Sequence, residues 1–189
     1  MEFRDVLRAR HSVRDFRSDP VPRETLQRLV SAAALAPSSM NEQPWSFYVL
    51  TGESRHALGK IIAHTTIHLA EYMDVLGPER YEESVQWYSS LGNAQALIAV
   101  VAPVSRDALE MLNRHLSVGA AVENLLLAAV DEGLAACNIT YSHWVEDEIA
   151  DFLQLPGAHV VLTVIAVGFP GDVPPAAPRH ETDVAIWLD

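Results

Sequence analysis

Pro37-Ser38-Ser39-Met40-Asn41-Glu42-Gln43-Pro44-Trp45 is the stretch on which the reading of this 189-residue chain turns. Two hydroxyls and two amides lie between two prolines, and an aromatic ring follows the second. Side-chain donors and acceptors at this density suit a polyhydroxylated or heteroaromatic ligand. The same residues also serve as a capping and turn segment between a helix and a strand. Immediately upstream, residues 23–36 follow Asp19-Pro20-Val21-Pro22 and carry Leu26, Leu29, Val30, Ala33 and Ala34 at helical spacing, and Pro37 closes that helix. Immediately downstream, Trp45-Ser46-Phe47-Tyr48-Val49-Leu50 is an aromatic and β-branched strand stopped by Gly52.

Further out, residues 2–10 are predicted helical, and residues 53–90 helical but broken, with one interruption at Gly77-Pro78. Ala96 to Val101 is a continuous apolar run ended by Pro103, the pattern of a buried strand. Residues 113–132 form a long helix with almost no polar face, which requires burial on several sides, and Gly133 is placed to stop it. An amphipathic helix at 144–154 and a central strand from Val160 to Val167 follow. The last segment holds Pro170, Pro174, Pro175 and Pro178, then Val184, Ile186, Trp187 and Leu188. It is too proline-rich for a helix and too apolar to hang in water, so it is expected to pack on another surface. With no repeat, low-complexity run or linker, residues 1–189 are expected to form one α+β domain with helices on a small sheet.

Thirteen basic residues against twenty-five acidic ones give a net charge of −12, which argues against a surface that tracks nucleic-acid phosphates. Hydrophobic residues make up 49% of the chain and mean hydropathy is +0.09, which suggests that a partner subunit covers part of the surface. The longest apolar stretch, Val118 to Val130, is broken by Glu123 and Asn124, so no membrane span is expected. A lone Cys137 and a charged start (Glu2, Arg4, Asp5, Arg8) point to a cytoplasmic address.

Arg10-His11-Ser12-Val13-Arg14 sets two guanidiniums and a hydroxyl just past a helix, a local exception in an acidic chain. Arginine suits bidentate phosphate binding, although such a cluster also occurs as a solvated turn. His64, His68 and Glu71 share a helix face at metal-ligand spacing, yet Thr65 stands where a metalloprotease motif needs glutamate; a polar face is expected there and no metal. Cys137, with His143 nearby in sequence, sits among Leu134, Ala135, Ala136 and Ile139, the setting of a small buried residue rather than a reactive thiol. Tyr72, Tyr81, Trp87 and Tyr88 either line a substrate channel or pack a helical cover.

Taken together, the two polar stretches resemble the FMN-dependent nitroreductase family. That family's Arg-x-Ser-x-(Arg/Lys)-x-Phe is matched at Arg10, Ser12, Arg14 and Phe16, and its Pro-Ser-x-x-Asn-x-Gln-Pro-Trp at Pro37, Ser38, Asn41, Gln43, Pro44 and Trp45. Ala121 to Ala129, Gly133 to Cys137, Val167-Gly168-Phe169-Pro170 and Arg179 fit as well, while 53–93 is unmatched. The resemblance implies a nitroreductase-like α+β fold. Its small mixed or antiparallel sheet would be flanked by helices, with a long buried central helix and an extended C-terminal tail crossing to the partner subunit. It further implies a homodimer with FMN at the subunit interface. Arg10, Ser12 and Arg179, with His11 in the same turn, would hold the phosphate, and Arg14 would stand near N1 and O2 of the ring. Ser38, Ser39 and Asn41, in a loop with Gln43, would reach the cofactor from the second subunit. Asn138-Ile139-Thr140-Tyr141 would lie along the ring, with a backbone N–H at 140 or 141 aimed at N5 or O4. The chain departs from the pattern in lacking a glycine at 140 or 141 and in having Ala177 where a second basic residue is common.

The activity implied is electron transfer from NAD(P)H to nitroaromatic, quinone or related acceptors. There is no G-x-G-x-x-G after a strand, so the nicotinamide is expected to visit and leave before the acceptor enters, a ping-pong scheme without a protein nucleophile. The same resemblance leaves open an FMN-dependent oxidase or dehydrogenase acting on a small peptide-like or azoline substrate, dehalogenating or fragmenting enzymes, and a non-catalytic flavin-binding protein.

Overall fold

The two continuous apolar runs pair with each other at the centre of a four-stranded sheet. In the computed structural model, which describes residues 1–72, 75, 77–172, 176–179 and 184–188, these runs are β2 (Ala96–Pro103) and β4 (His159–Gly168). Residues 73, 74, 76, 173–175, 180–183 and 189, and the Tyr72 side chain, lie outside the described part. β1 (Ser46–Thr51) pairs with β2 and β3 (Ala135–Ile139) with β4, giving the order β1-β2-β4-β3, with every neighbouring pair antiparallel. Along β2, Leu97, Ala99 and Val101 face one layer, and Ala96, Ile98, Val100 and Ala102 the other. Helices cover both faces, so these strands are apolar at consecutive positions instead of alternating. Between Val100 and Val101 the register slips, because Val100 opposes Thr163 and Val101 opposes Val161. The extra residue, Leu162, lets Val161 and Val164 enter the same core layer despite their odd spacing.

On one face lie α2 (Arg23–Ala34) and the long α6 (Ala108–Asp131), with α1 (Phe3–Ala9) packed along α6. The other face carries α3 (Gly52–Ala63), α4 (Thr65–Leu69), α5 (Pro78–Ser90) and α7 (Glu146–Phe152). Pro78 opens α5 after Gly77, so the expected interruption is where the helix restarts. α6 begins five residues earlier than its apolar pattern predicts: the Asp107 side chain accepts the Glu110 N–H at 2.8 Å, a helix cap. Its first turns carry Leu109, Leu112 and Leu116, which are 53–66% exposed in the single chain.

β3 is an element that the sequence pattern does not predict after Gly133. Ala135-Ala136-Cys137 has weak strand propensity, but Gly133, at φ 71°, stops the helix and the free edge of β4 recruits the next five residues. Within one chain the tail side chains Val184, Ile186, Trp187 and Leu188 are 73–91% exposed.

Candidate active site

Residues 10–17 leave α1 and run across the end of the sheet. Val13 N–H donates to the Ala136 carbonyl at 3.1 Å, Phe16 N–H to Gly92 at 2.9 Å and Arg17 N–H to Phe169 at 2.9 Å. Val13 and Phe16 are buried in the core, which leaves Ser12 and Arg14 on the outer side. The Arg14 carbonyl accepts the Trp87 indole N–H at 2.9 Å and lies against Gly92. A Cβ on Gly92 would come 1.8 Å from that oxygen, and its φ of 58° is in the left-handed region, so glycine is needed there on both counts.

Arg14 lines one wall of a cleft of about 520 Å³, together with Cys137 and Asn138 of β3 and Tyr141 beyond it. The facing wall is α5, through Arg80, Glu83, Ser84, Trp87 and Tyr88. Rings join the two walls: Trp87 meets Tyr88 edge-on at 4.9 Å, Tyr88 approaches Tyr141 at 6.2 Å, and Tyr141 stacks on Trp144 at 4.8 Å and 19°. Such a surface suits a flat heteroaromatic ligand. Burial pushes the Tyr88 phenol well above the usual tyrosine range and the Cys137 thiol above its ordinary value, with the nearby Arg14 charge opposing both shifts. At neutral pH both are therefore neutral, and the cleft's charges are Arg14, Arg80 and Glu83. Among the described residues neither arginine side chain has a hydrogen-bonding or ion-pair partner.

At the other end of residues 10–14, Arg10 Nε lies 3.0 Å from Glu123, and Arg179 donates to the Arg10 carbonyl at 3.2 Å. His11 Nδ1 donates to the Ala9 carbonyl at 2.8 Å, and its buried Nε2 has no hydrogen-bond partner among the described residues. The structure thus brings Arg10, His11 and Arg179 together at one place, and Arg14, Asn138 and Tyr141 at another. Thr140 is exposed at the end of β3. The Ile139 side chain is turned into the core, and its carbonyl accepts the Thr163 hydroxyl at 3.0 Å and the Ser142 hydroxyl at 2.8 Å, so little of this residue faces the cleft.

The loop of Ser38, Ser39, Asn41 and Gln43 does not line the cleft of its own chain. It is fastened to α6 instead: Ser39 N–H donates to the Ser117 hydroxyl at 3.2 Å, and Arg114 binds Glu42 at 2.7 Å and also Glu110. Ser38 Oγ accepts the Gln43 N–H at 3.0 Å, and the Gln43 amide donates to Asn41 at 3.2 Å. Met40, Asn41 and Gln43 have φ of 52°, 56° and 49°, a strained run for non-glycine residues, and Met40 is almost wholly exposed.

The competing centres do not assemble. His64 pairs with Glu148 at 2.8 Å and His68 lies against the Trp144 ring at 5.7 Å, so the two do not converge with Glu71. Among the described residues no group of three or more His, Cys, Asp or Glu is placed to hold a metal. His143 pairs with Glu146 at 2.7 Å instead of activating Cys137. Tyr81 packs against the core, while Trp87 and Tyr88 line the cleft. The sequence reading missed Arg80, Glu83 and Ser84. Their signal was present, because 80, 83, 84, 87 and 88 are spaced i, i+3, i+4, i+7 and i+8, one face of a helix.

Residues 7–169 match the model of the nitroreductase family. The chain belongs to that family. Among the nitroreductase-family relatives, a 4-nitrobenzoate reductase from Pseudomonas putida is 27% identical, over 89% of this chain and 85% of the relative. An iodotyrosine deiodinase from Thermotoga neapolitana is 29% identical over 95% of each chain. Among solved structures, an FMN and NADPH-dependent nitroreductase from Sphigopyxis sp. strain HMH superposes with a TM-score of 0.79 at 21% identity, over the whole of both chains. The nitroreductase-like fold, α+β with a small antiparallel sheet between helices, is thereby established. No helix among the described residues is long and apolar enough to cross a membrane.

Proposed function

We propose that this nitroreductase-family chain works as a homodimeric FMN-dependent oxidoreductase, taking electrons from NAD(P)H and passing them to nitroaromatic, quinone or related acceptors. The observation that carries the reading is Arg14: an unpaired cation, pinned through its carbonyl by Trp87 and Gly92, at the edge of an aromatic-walled cleft. Bound FMN would supply reversible hydride chemistry at N5. Arg14 would hold the negative charge that reduction places on N1 and O2. Asn138, Thr140 and Tyr141 would border the ring. At the far end, Arg10, Ser12 and Arg179 would hold the phosphate, and the His11 Nε2 would find there the hydrogen-bond partner it lacks among the described residues. The orphaned ring nitrogen and the unpaired cation both fit a phosphorylated flavin. Because reductant and acceptor would share one cleft, they would enter in turn. No protein nucleophile is required, and the neutral, buried Cys137 provides none.

The homodimer is part of the reading. In one chain Leu109, Leu112 and Leu116 at i, i+3 and i+7 of α6, Met40 at the tip of the polar loop, and the four apolar side chains of the tail are all exposed. A second copy covering this surface would carry Ser38, Ser39, Asn41 and Gln43 to the first copy's cleft and would receive its tail. A cytoplasmic address, proposed from the single free thiol, accompanies it.

The test is optical. Purified protein should show oxidised-flavin absorption at about 450 and about 370 nm. Anaerobic NADPH should bleach it, and a nitroarene should restore it. A colourless protein that takes up no added FMN ends the reading. A flavin untouched by NAD(P)H but bleached by a dehydrogenation substrate replaces it with the oxidase, and one that no reductant changes replaces it with a flavin-binding protein.

A further inference from the structure

We propose that Arg80 selects aromatic acceptors that carry a carboxylate, with Glu83 opposing it; the proposal rests on the reductase reading for the use made of that ligand. α5 presents two kinds of surface to the cleft. Trp87 and Tyr88 form an aromatic end, and one turn and two turns before them stand Ser84, Glu83 and Arg80. A helical turn advances about 5.4 Å, so an aryl ring against the aromatic end directs a substituent along α5 toward the charged end. The other cation of the cleft, Arg14, stands on the opposite wall beside β3, where it is already assigned to the flavin ring.

Arg80 is exposed at the cleft mouth and carries no ion pair among the described residues, even though Glu83 lies three positions on along the same face. In a chain of net charge −12 the average field repels anions. An anionic substrate is therefore held only where a local cation outweighs that field, and Arg80 supplies one. Its planar fork suits a carboxylate, and Ser84 offers a hydroxyl beside it. Glu83 acts with the opposite sign, so the two residues form an internal control: neutralising each should move an anionic ligand in opposite directions and leave a neutral one alone.

The experiment uses isothermal titration of oxidised, FMN-loaded protein with 4-nitrobenzoate and with 4-nitrobenzamide, its uncharged counterpart of similar shape. Arg80→Gln is expected to weaken 4-nitrobenzoate about fivefold to tenfold, the loss of one charge-assisted contact. Glu83→Gln should tighten it about twofold. The amide should move by less than either, and the carboxylate effects should shrink in high salt. Parallel shifts of both probes, failure of wild-type protein to bind 4-nitrobenzoate, or an Arg80→Gln effect confined to the NADPH KM would overturn the proposal; the last would assign Arg80 to the reductant's phosphates. A wild-type protein that shows the charge-dependent binding pattern yet accepts no electrons from NAD(P)H would retire the reductase reading and leave the role of Arg80 standing.

Discussion

Arg14 shows how a single residue is placed by its neighbours. Val13 and Phe16 enter the core, so the guanidinium between them must emerge on the outside, and Gly92 and Trp87 fix its carbonyl. Arg14→Gln keeps a polar side chain and removes the charge. Hydride transfer measured by stopped-flow reduction should slow about 10²- to 10³-fold, by analogy with the loss of one oxyanion donor. Arg10→Gln should instead raise the FMN dissociation constant. If excess FMN cured both variants, Arg14 would belong at the phosphate end. Gly92→Ala places a methyl group against the Arg14 carbonyl at a φ that L residues avoid, so unfolding should become easier by at least about 1–3 kcal/mol in chemical denaturation. Tyr88 yields a pH prediction. Burial raises its folded pKa above the ordinary value of 10.0, so above pH 10.0 the unfolded chain loses a proton that the folded chain keeps. Stability therefore falls as pH rises through that range, and Tyr88→Phe should flatten the fall in alkaline denaturation curves.

The elements were legible where burial wrote a pattern and illegible where it did not. β2 and β4 are apolar at successive positions because both faces are covered, and α2 shows its buried stripe of Leu26, Leu29 and Ala33. β3 left no such mark, since Ala135 and Ala136 owe their strand to the edge of β4 and not to their own propensity. The first turn of α6 begins at the Asp107 cap, ahead of the continuous apolar run, and its leucines face outward. The sites followed the same division. Arg10, Ser12 and Arg14 were visible as a motif, whereas Arg80 and Glu83 belong to a helical wall whose only signal is spacing. The cap of α6 is testable at this scale: Asp107→Ala should cost about 1 kcal/mol in thermal or urea unfolding. Arg114→Met should release Glu42 and with it the 38–43 loop; if that loop serves a partner's cofactor, FMN affinity should drop more than stability does, by fluorescence titration.

At the scale of the whole molecule, the tail and the first turns of α6 expose the apolar side chains that the proposed homodimer would cover. Truncation after Gly171 removes Arg179 and the four exposed apolar side chains together. Sedimentation and flavin content should therefore fall in step, with weaker dimers and less retained FMN. A truncated chain that stays dimeric with one FMN per subunit would show that the tail serves neither purpose.

The two borders of the sheet are not alike. β3 is five residues long and is flanked at Ala136 by Ser12 and Val13, whereas the outer side of β1 has no hydrogen-bonded strand among the described residues. Unpaired strand borders are where proteins run together into fibrils. Among the described residues the β3 border is engaged by its own chain only at Ala136, so β1 is the more open of the two borders, and an added strand pairing there is the route by which association along the sheet would begin.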